Sequence, residues 1–189
     1  HSSGANHILY INLYQLLMMV ILSAQDSDKH INEVAKKLFE AFPNMESLSR
    51  ATTEMLFQYI SSVRNFGNKT KWLMTLAQKI KTDKNIPMTM DELTALPGIG
   101  RKSANVIMRE SGKKPEGVIV DLHVVRVAPR LGIATGTDPK KIEAQIMEVL
   151  PQKEWSVGMA FSFLGRETCR PTDPKCPECV MRGACAFYK

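Results

Sequence analysis

Long apolar runs are scarce in this chain of 189 residues. No segment reaches the roughly 20 consecutive apolar residues that a membrane-spanning helix needs. The strongest apolar run, LLMMVIL at 16–22, is typical of a buried core helix. Low-complexity segments and repeats of fixed period are also lacking, which excludes a repeat array. The composition therefore predicts a globular protein of one or two domains without a membrane partner.

Cysteine is absent before residue 169, and the tail then carries the pattern C-x6-C-x2-C-x5-C. A secreted protein of this length would spread disulfides along the chain, so the clustering favours a metal or iron–sulfur site in a reducing compartment. That compartment is the cytoplasm if the source is prokaryotic. Only one pair has the CxxC spacing that structural zinc sites usually use twice, which favours a [4Fe–4S] cluster and leaves zinc open. The predicted ligands are Cys169, Cys176, Cys179 and Cys185.

A net charge of +6 suits a polyanionic partner such as nucleic acid, although such a charge is also common in proteins that bind none. Four cations, Arg166, Arg170, Lys175 and Arg182, lie in or beside the cysteine segment. They could contact phosphates or form an ordinary solvated basic loop, and the sequence leaves both open.

The apolar residues repeat with helical spacing almost throughout, which predicts an all-α fold. Only GVIV at 117–120 resembles a strand, and it is too short to form a sheet. Asp28 is predicted to cap the second helix. The predicted helices span 12–24, 29–42, 49–63, 68–82, 89–96, 101–112, 121–132, 138–151 and 154–169.

The stretch LPGIGRKSANVI at 96–107 joins two predicted helices through Gly98 and Gly100, a helix–hairpin–helix pattern. Its glycines allow close backbone approach, and N–H groups at the following helix start can bind a phosphate. A nearby phosphate would explain two cations, Arg101 and Lys102, at a helix start that disfavours positive charge. The same start favours the neutral amine of Lys102, which is the nucleophilic form.

Asp121, in VDLHVVRV, directly precedes another helix and is predicted to be its N-cap, an anion held by backbone N–H groups. A fixed carboxylate can stabilise a nascent sugar cation by electrostatic preorganisation. Taken singly, a plain helix cap and a solvated lysine explain Asp121 and Lys102 equally well.

Together, LPGIGRKSANVI, VDLHVVRV, SAQDSD and the cysteine pattern resemble the endonuclease III family of DNA repair glycosylases from about residue 8 to the end. The resemblance implies two helical domains: a six-helix barrel at 24–133, and an iron–sulfur domain of 5–23 plus 134–189. It implies a [4Fe–4S] cofactor and a duplex DNA partner with damaged bases or abasic sites, and we expect a monomer. Residues 1–4, HSSG, are typical of a tag remnant.

The resemblance implies that Lys102 attacks the sugar C1′ of a flipped nucleotide, that Asp121 supports it, and that β-elimination then cuts the strand. Gln25 matches the glutamine that fills the gap left by the flipped base. Oxidised pyrimidines are the family's usual substrates, with mismatched thymine or uracil, alkylated purines and abasic sites as alternatives. A monofunctional glycosylase and a non-catalytic damage-binding module also stay open. The candidate DNA contacts are Gln25, Asp28, Asn65, Phe66, Gly98, Gly100, Arg101 and His123.

Several positions depart from the family pattern. Asn65 replaces the leucine that wedges into the base stack, and the neighbouring Phe66 could wedge instead or be a core aromatic. Leu122 replaces the threonine that follows the aspartate, and Thr94 replaces a common glutamate. FSFLGRETC, at 161–169, replaces a more polar version that contains histidine. These changes leave the reaction class in place and the preferred base open.

Overall fold

The computed structural model describes residues 8–114 and 116–188, and within them every regular element is helical. The HSSG segment lies outside the described residues. Short 3-10 turns follow the fifth and ninth helices and occur twice in the tail. The α-helices are α1 Leu13–Leu22, α2 Asp28–Ala41, α3 Met45–Ser49, α4 Thr53–Ile60, α5 Phe66–Ile80, α6 Met90–Thr94, α7 Arg101–Glu110, α8 Leu122–Leu131, α9 Pro139–Val149 and α10 Val157–Glu167.

The all-α prediction is confirmed, with local differences. The structure contains α3, which was not predicted and starts at an Asn44–Ser47 capping box. The predicted 49–63 helix shortens to α4, because Thr52 caps a new helix start. Asp28 is not the cap of α2: the Ser27 hydroxyl accepts from the His30 backbone N–H at 3.2 Å. The 117–120 segment does not form a strand, and the described residues contain none.

Packing divides the chain into two compact units between Lys113 and Lys114, each with its own apolar core. The first core surrounds α1, in which every residue from Leu16 to Leu22 is buried. A helix that is apolar all round belongs inside a core, and α1 accordingly packs with α2, α5 and α7. The second core joins 118–120, α8, α9, α10 and the cysteine tail. The boundary between these two cores differs from the predicted domain boundaries, which are 24–133 for one domain and 5–23 plus 134–189 for the other. The predicted division into domains stays a prediction.

No helix of the described residues is long and apolar enough to cross a membrane.

The turn between α6 and α7 depends on Gly98, whose φ of +80° lies in the left-handed region. An added Cβ would lie 2.7 Å from Cε3 of Trp72 on α5, so both backbone conformation and space require glycine. Leu96 and Ile99 are buried on either side of it. The hairpin is thereby fixed to the first core.

Gly98→Ala should therefore lower the free energy of unfolding by about 1–2 kcal/mol for the left-handed backbone, plus about 1–3 kcal/mol for the collision with Trp72. Gly112→Ala keeps the strain without the collision, because Gly112 has φ +72° and open space around its Cα. Gly67→Ala on α5 has neither cost and should be neutral or stabilising. Urea unfolding of the three variants measures the order, and equal losses for Gly98→Ala and Gly112→Ala would remove Trp72 from the explanation.

Candidate active site

The hairpin presents its two glycines and Lys102 at the surface of the first unit. Gly98 and Gly100 are exposed, and Gly100 is the N-cap of α7 without a side chain to occupy the helix start. Arg101 and Lys102 are the first two residues of α7, and Lys102 is exposed. The backbone N–H groups of this helix start and the lysine amine are thus both available to a ligand.

Thr94 lies in the helix before the hairpin. Its hydroxyl donates back to the backbone oxygens of Met90, at 2.8 Å, and Asp91, at 3.2 Å. The Thr94 side chain therefore bonds within its own helix, at the last turn of α6.

A second surface of the first unit carries Gln25 and Asn65, both exposed and both with left-handed backbones, φ +62° and +59°. Non-glycine residues rarely adopt this conformation, and such strain clusters at functional positions. Asn65 is the N-cap of α5 without a side-chain capping bond, and Phe66 begins the helix. Phe66 is 36% exposed and packs edge-to-face on Phe57, with ring centroids 5.1 Å apart. Phe66 is thus a surface aromatic and not a core residue.

Asp26, which the sequence analysis missed, ties these two turns together. Its Oδ2 accepts the Arg64 backbone N–H at 2.8 Å, and its Oδ1 lies 2.9 Å from Nδ1 of His30. Nε2 of His30 in turn lies 3.1 Å from the Ser62 hydroxyl. Burial raises the pKa of Asp26, but the hydrogen bonds from Arg64, His30 and Ser27 outweigh it and lower the pKa overall.

Lys69 holds the same turns from inside. Its side chain is 1% exposed, and Nζ donates to the backbone oxygens of Leu22, at 2.6 Å, and Ala24, at 2.7 Å. Burial lowers the pKa of Lys69, and the Asp26 carboxylate opposes that effect only in part. A lysine in an amphipathic helix is normally predicted to lie on the exposed face, so the sequence gave no indication that Lys69 is buried. Asp28, the remaining candidate on this surface, lies in the first turn of α2, where the helix dipole stabilises its negative charge.

In the second unit, Asp121 is the N-cap of α8 as predicted. Its Oδ1 accepts the backbone N–H groups of His123 and Val124, at 2.8 and 2.9 Å. Its Oδ2 accepts the Ser162 hydroxyl at 2.5 Å, a contact that the sequence analysis missed. Burial raises the pKa of Asp121, but the bonds from Ser162, Val124 and His123 and the positive field of His123 lower it overall. The carboxylate is therefore held as an anion.

Two residues beside Asp121 differ in exposure. Leu122 is 70% exposed, so an apolar side chain stands beside the carboxylate. His123 is partly exposed, and its Nδ1 lies 3.3 Å from Nη2 of Arg126. Burial lowers the pKa of His123, opposed by Asp121 and reinforced by Arg166 and Arg126, which favours the neutral ring.

The four cysteines line one common cavity. None forms a disulfide, and Cys185 is buried while the other three are partly buried. In the described part of the chain, no three cysteine, histidine or carboxylate groups lie close enough to hold a single metal ion. Four thiols that line one cavity are a donor set that fits a [4Fe–4S] cluster, and zinc uses thiolate ligands as well.

Two arginines of α8 fix the cysteine loop. Arg126 donates to the backbone oxygens of Cys169, at 3.0 Å, and Gly165, at 2.9 Å. Arg130 donates to the oxygen of Arg170 at 2.7 Å and lies 3.5 Å from Sγ of Cys169. The helix that Asp121 caps is thus bonded to the loop that carries the cysteines.

The chain is similar to known proteins over most of its length. The family model described as HhH-GPD superfamily base excision DNA repair protein matches residues 18–152. Endonuclease III of Synechocystis sp. is 36% identical over 174 residues, covering 90% of this chain and 80% of the relative. Endonuclease III of Bacillus subtilis is 36% identical over 182 residues, covering 94% and 83%.

Two solved structures are similar over nearly the whole chain. A non-covalent endonuclease III–DNA complex matches with a TM-score of 0.86 and 33% identity, covering 97% of this chain and 88% of that one. A trapped endonuclease III–DNA covalent intermediate matches with a TM-score of 0.86 and 34% identity, covering 96% and 86%. The family model and these relatives establish that the chain belongs to the HhH-GPD superfamily of base excision DNA repair proteins, within its endonuclease III family.

Proposed function

We propose that the chain is a bifunctional base excision enzyme, a DNA glycosylase and abasic-site lyase that acts on duplex DNA with damaged bases. The observation that carries the proposal is the exposed Lys102 at the second position of α7, directly after the glycine hairpin. The fold around it is similar to an endonuclease III that was trapped covalently on DNA. Its substrate places the enzyme with the chromosome, which in a prokaryote lies in the cytoplasm.

In the proposed reaction, the damaged nucleotide is flipped out of the duplex and the neutral amine of Lys102 attacks C1′. The bond from C1′ to the base breaks, and the electron pair leaves with the base. The Asp121 anion stabilises positive charge on the sugar as that bond breaks and accepts a proton. The amine then loses a proton and the C1′–O4′ bond breaks, with its electron pair and a proton going to O4′, so that the opened sugar is joined to Lys102 as a Schiff base. This Schiff base acidifies the C2′ proton, whose removal expels the 3′ phosphate and cuts the strand.

The residues that contact DNA in this proposal fall into two groups within the first unit. The hairpin, with Gly98, Gly100 and Arg101, offers backbone N–H groups and charge to phosphates. The two turns that Asp26 joins offer Gln25 and Asn65, which are both exposed and both have left-handed backbones. Because Phe66 is packed on Phe57, we assign the wedge to Asn65. Asp28 and, in the second unit, His123 complete the proposed contacts, and oxidised pyrimidines are the proposed substrates.

Cys169, Cys176, Cys179 and Cys185 would hold the [4Fe–4S] cluster. When bound, the cluster would cross-link a loop that has little apolar core of its own. Arg126 and Arg130 tie that loop to α8, and the exposed cations Arg166, Arg170, Lys175 and Arg182 lie around it. We propose that the loop thereby presents a basic surface to DNA phosphates, and that the enzyme acts as a monomer.

Lys102→Ala should abolish strand cleavage at abasic sites while duplex binding persists, since the nucleophile is lost and the helix start is kept. Borohydride trapping on duplexes with an abasic site, thymine glycol, uracil or a G·T mismatch measures the covalent adduct. Lys140→Ala is the matched control, because Lys140 is also the exposed second residue of an α-helix. Wild-type binding without any adduct would contradict the lyase and favour a monofunctional enzyme or a damage-binding module.

Asp121→Asn should reduce base excision by about 10²–10³-fold with little effect on duplex binding, because it removes the anion and keeps the shape. Asp138→Asn is the control, since Asp138 caps α9 through Oδ1 in the same way, at 2.8 Å from the Lys140 N–H. Single-turnover excision and fluorescence anisotropy measure the two quantities. Equal losses for both variants would reduce Asp121 to a structural cap.

Protein purified without oxygen should contain four iron and four sulfide per chain, as a [4Fe–4S] cluster requires. Elemental analysis and the visible absorption of the protein measure this content. Cys185→Ser should lose the metal and lower the melting temperature, because Cys185 lies in the second core. One zinc per chain, with a colourless protein, would contradict the assignment.

A further inference from the structure

One face of α10 consists of Gly158, Ser162 and Gly165, spaced so that all three point the same way. A Cβ on Gly158 would lie 2.4 Å from the Ile119 backbone oxygen, and one on Gly165 would lie 2.8 Å from Cβ of His123. The two glycines therefore let α10 approach the start of α8 and the segment before it more closely than larger residues allow. Ser162 lies between them at the point of approach.

Ser162 is 3% exposed, and its only hydroxyl proton is donated to Oδ2 of Asp121 at 2.5 Å. The helix cap itself needs only the other oxygen, Oδ1, which accepts both backbone N–H groups. Asp138 shows that such a cap forms at an exposed carboxylate through Oδ1. The bond from Ser162 thus adds something that the start of α8 does not require.

Among the described residues of the second unit, few other charged groups act on this carboxylate. His123 follows Asp121 on α8 and favours the anion. Arg126 of α8 and Arg166 of α10 face the histidine and disfavour its protonation, so its positive charge is weak near neutral pH. Ser162 is then the principal side-chain group of this unit that holds the second oxygen.

We propose that Ser162 is a positioning residue for Asp121: its hydroxyl fixes Oδ2, so that the carboxylate faces the sugar in one orientation and as an anion. This inference rests on the proposed function for the role of Asp121. It does not rest on that function for the bond itself, which can be tested without DNA. The sequence FSFLG does not indicate this role, because a single serine in an apolar helix is common and predicts no particular partner.

Ser162→Ala should raise the pH at which excision is half-maximal on the acid side by about one unit, since a hydrogen bond to a charged group is lost. At a pH below that midpoint the excision rate should fall about tenfold, and at higher pH it should approach wild type. Ser162→Cys, with a weaker donor of similar size, should give an intermediate shift. Ser156→Ala, at the exposed N-cap of the same helix, should leave the profile unchanged.

The second readout is the carboxyl carbon of Asp121 in aspartate-labelled protein, assigned with Asp121→Asn and titrated by NMR without DNA. Ser162→Ala should move this titration upward by the same amount as the excision midpoint. An unmoved Asp121 titration would overturn the inference even if activity fell. If the wild type forms no adduct and excises no base, the proposed function fails, while the titration still decides whether Ser162 controls Asp121.

Discussion

Two backbone N–H groups at the start of α8 hold Oδ1 of Asp121, and the arrangement of the second unit depends on that helix start. The cap satisfies donors that a helix start leaves without partners, and the same bonds stabilise the carboxylate as an anion. A structural requirement and a chemical one thus coincide at a single side chain. Because α10 can approach only through its glycines, the second oxygen also meets a fixed donor, Ser162.

The rest of α8 extends this order to the cysteine tail. Arg126 and Arg130 follow at successive turns and bond backbone oxygens of 165–171, a stretch with little apolar burial. Arg130 also stacks on Phe187 at 4.5 Å, and its own carbonyl lies 3.4 Å from Sγ of Cys185. A loop that cannot form a core needs such cross-links, and a bound cluster would add a covalent one. The residues that hold the cysteine loop and the residue that caps α8 thus belong to the same helix.

Helical periodicity predicted the all-α fold, and Asp121 was predicted as the N-cap of α8, because capping is a local property. Asp28 shows the limit of such local prediction, because the neighbouring Ser27 can also cap the helix and is the N-cap of α2 in the structure. Ser162 and Lys69 could not be predicted, because each bonds a residue more than 40 positions away and looks ordinary within its helix. The boundary between the two cores could not be predicted from the sequence either, because it depends on which helix faces pack against each other.

The strained turns of the first unit show why such distant bonds matter. Gln25 and Asn65 each hold a left-handed backbone that costs a non-glycine residue about 1–3 kcal/mol, a cost that asparagine tolerates better than glutamine. Asp26 bonds across both turns, and the buried ammonium of Lys69 fixes the carbonyls before Gln25. Removing Lys69 would leave the buried backbone oxygen of Leu22 without this donor, which adds a cost to any relaxation of the turn. The backbone geometry at these two exposed residues is thus maintained by Asp26 and Lys69, side chains that do not themselves need to touch DNA.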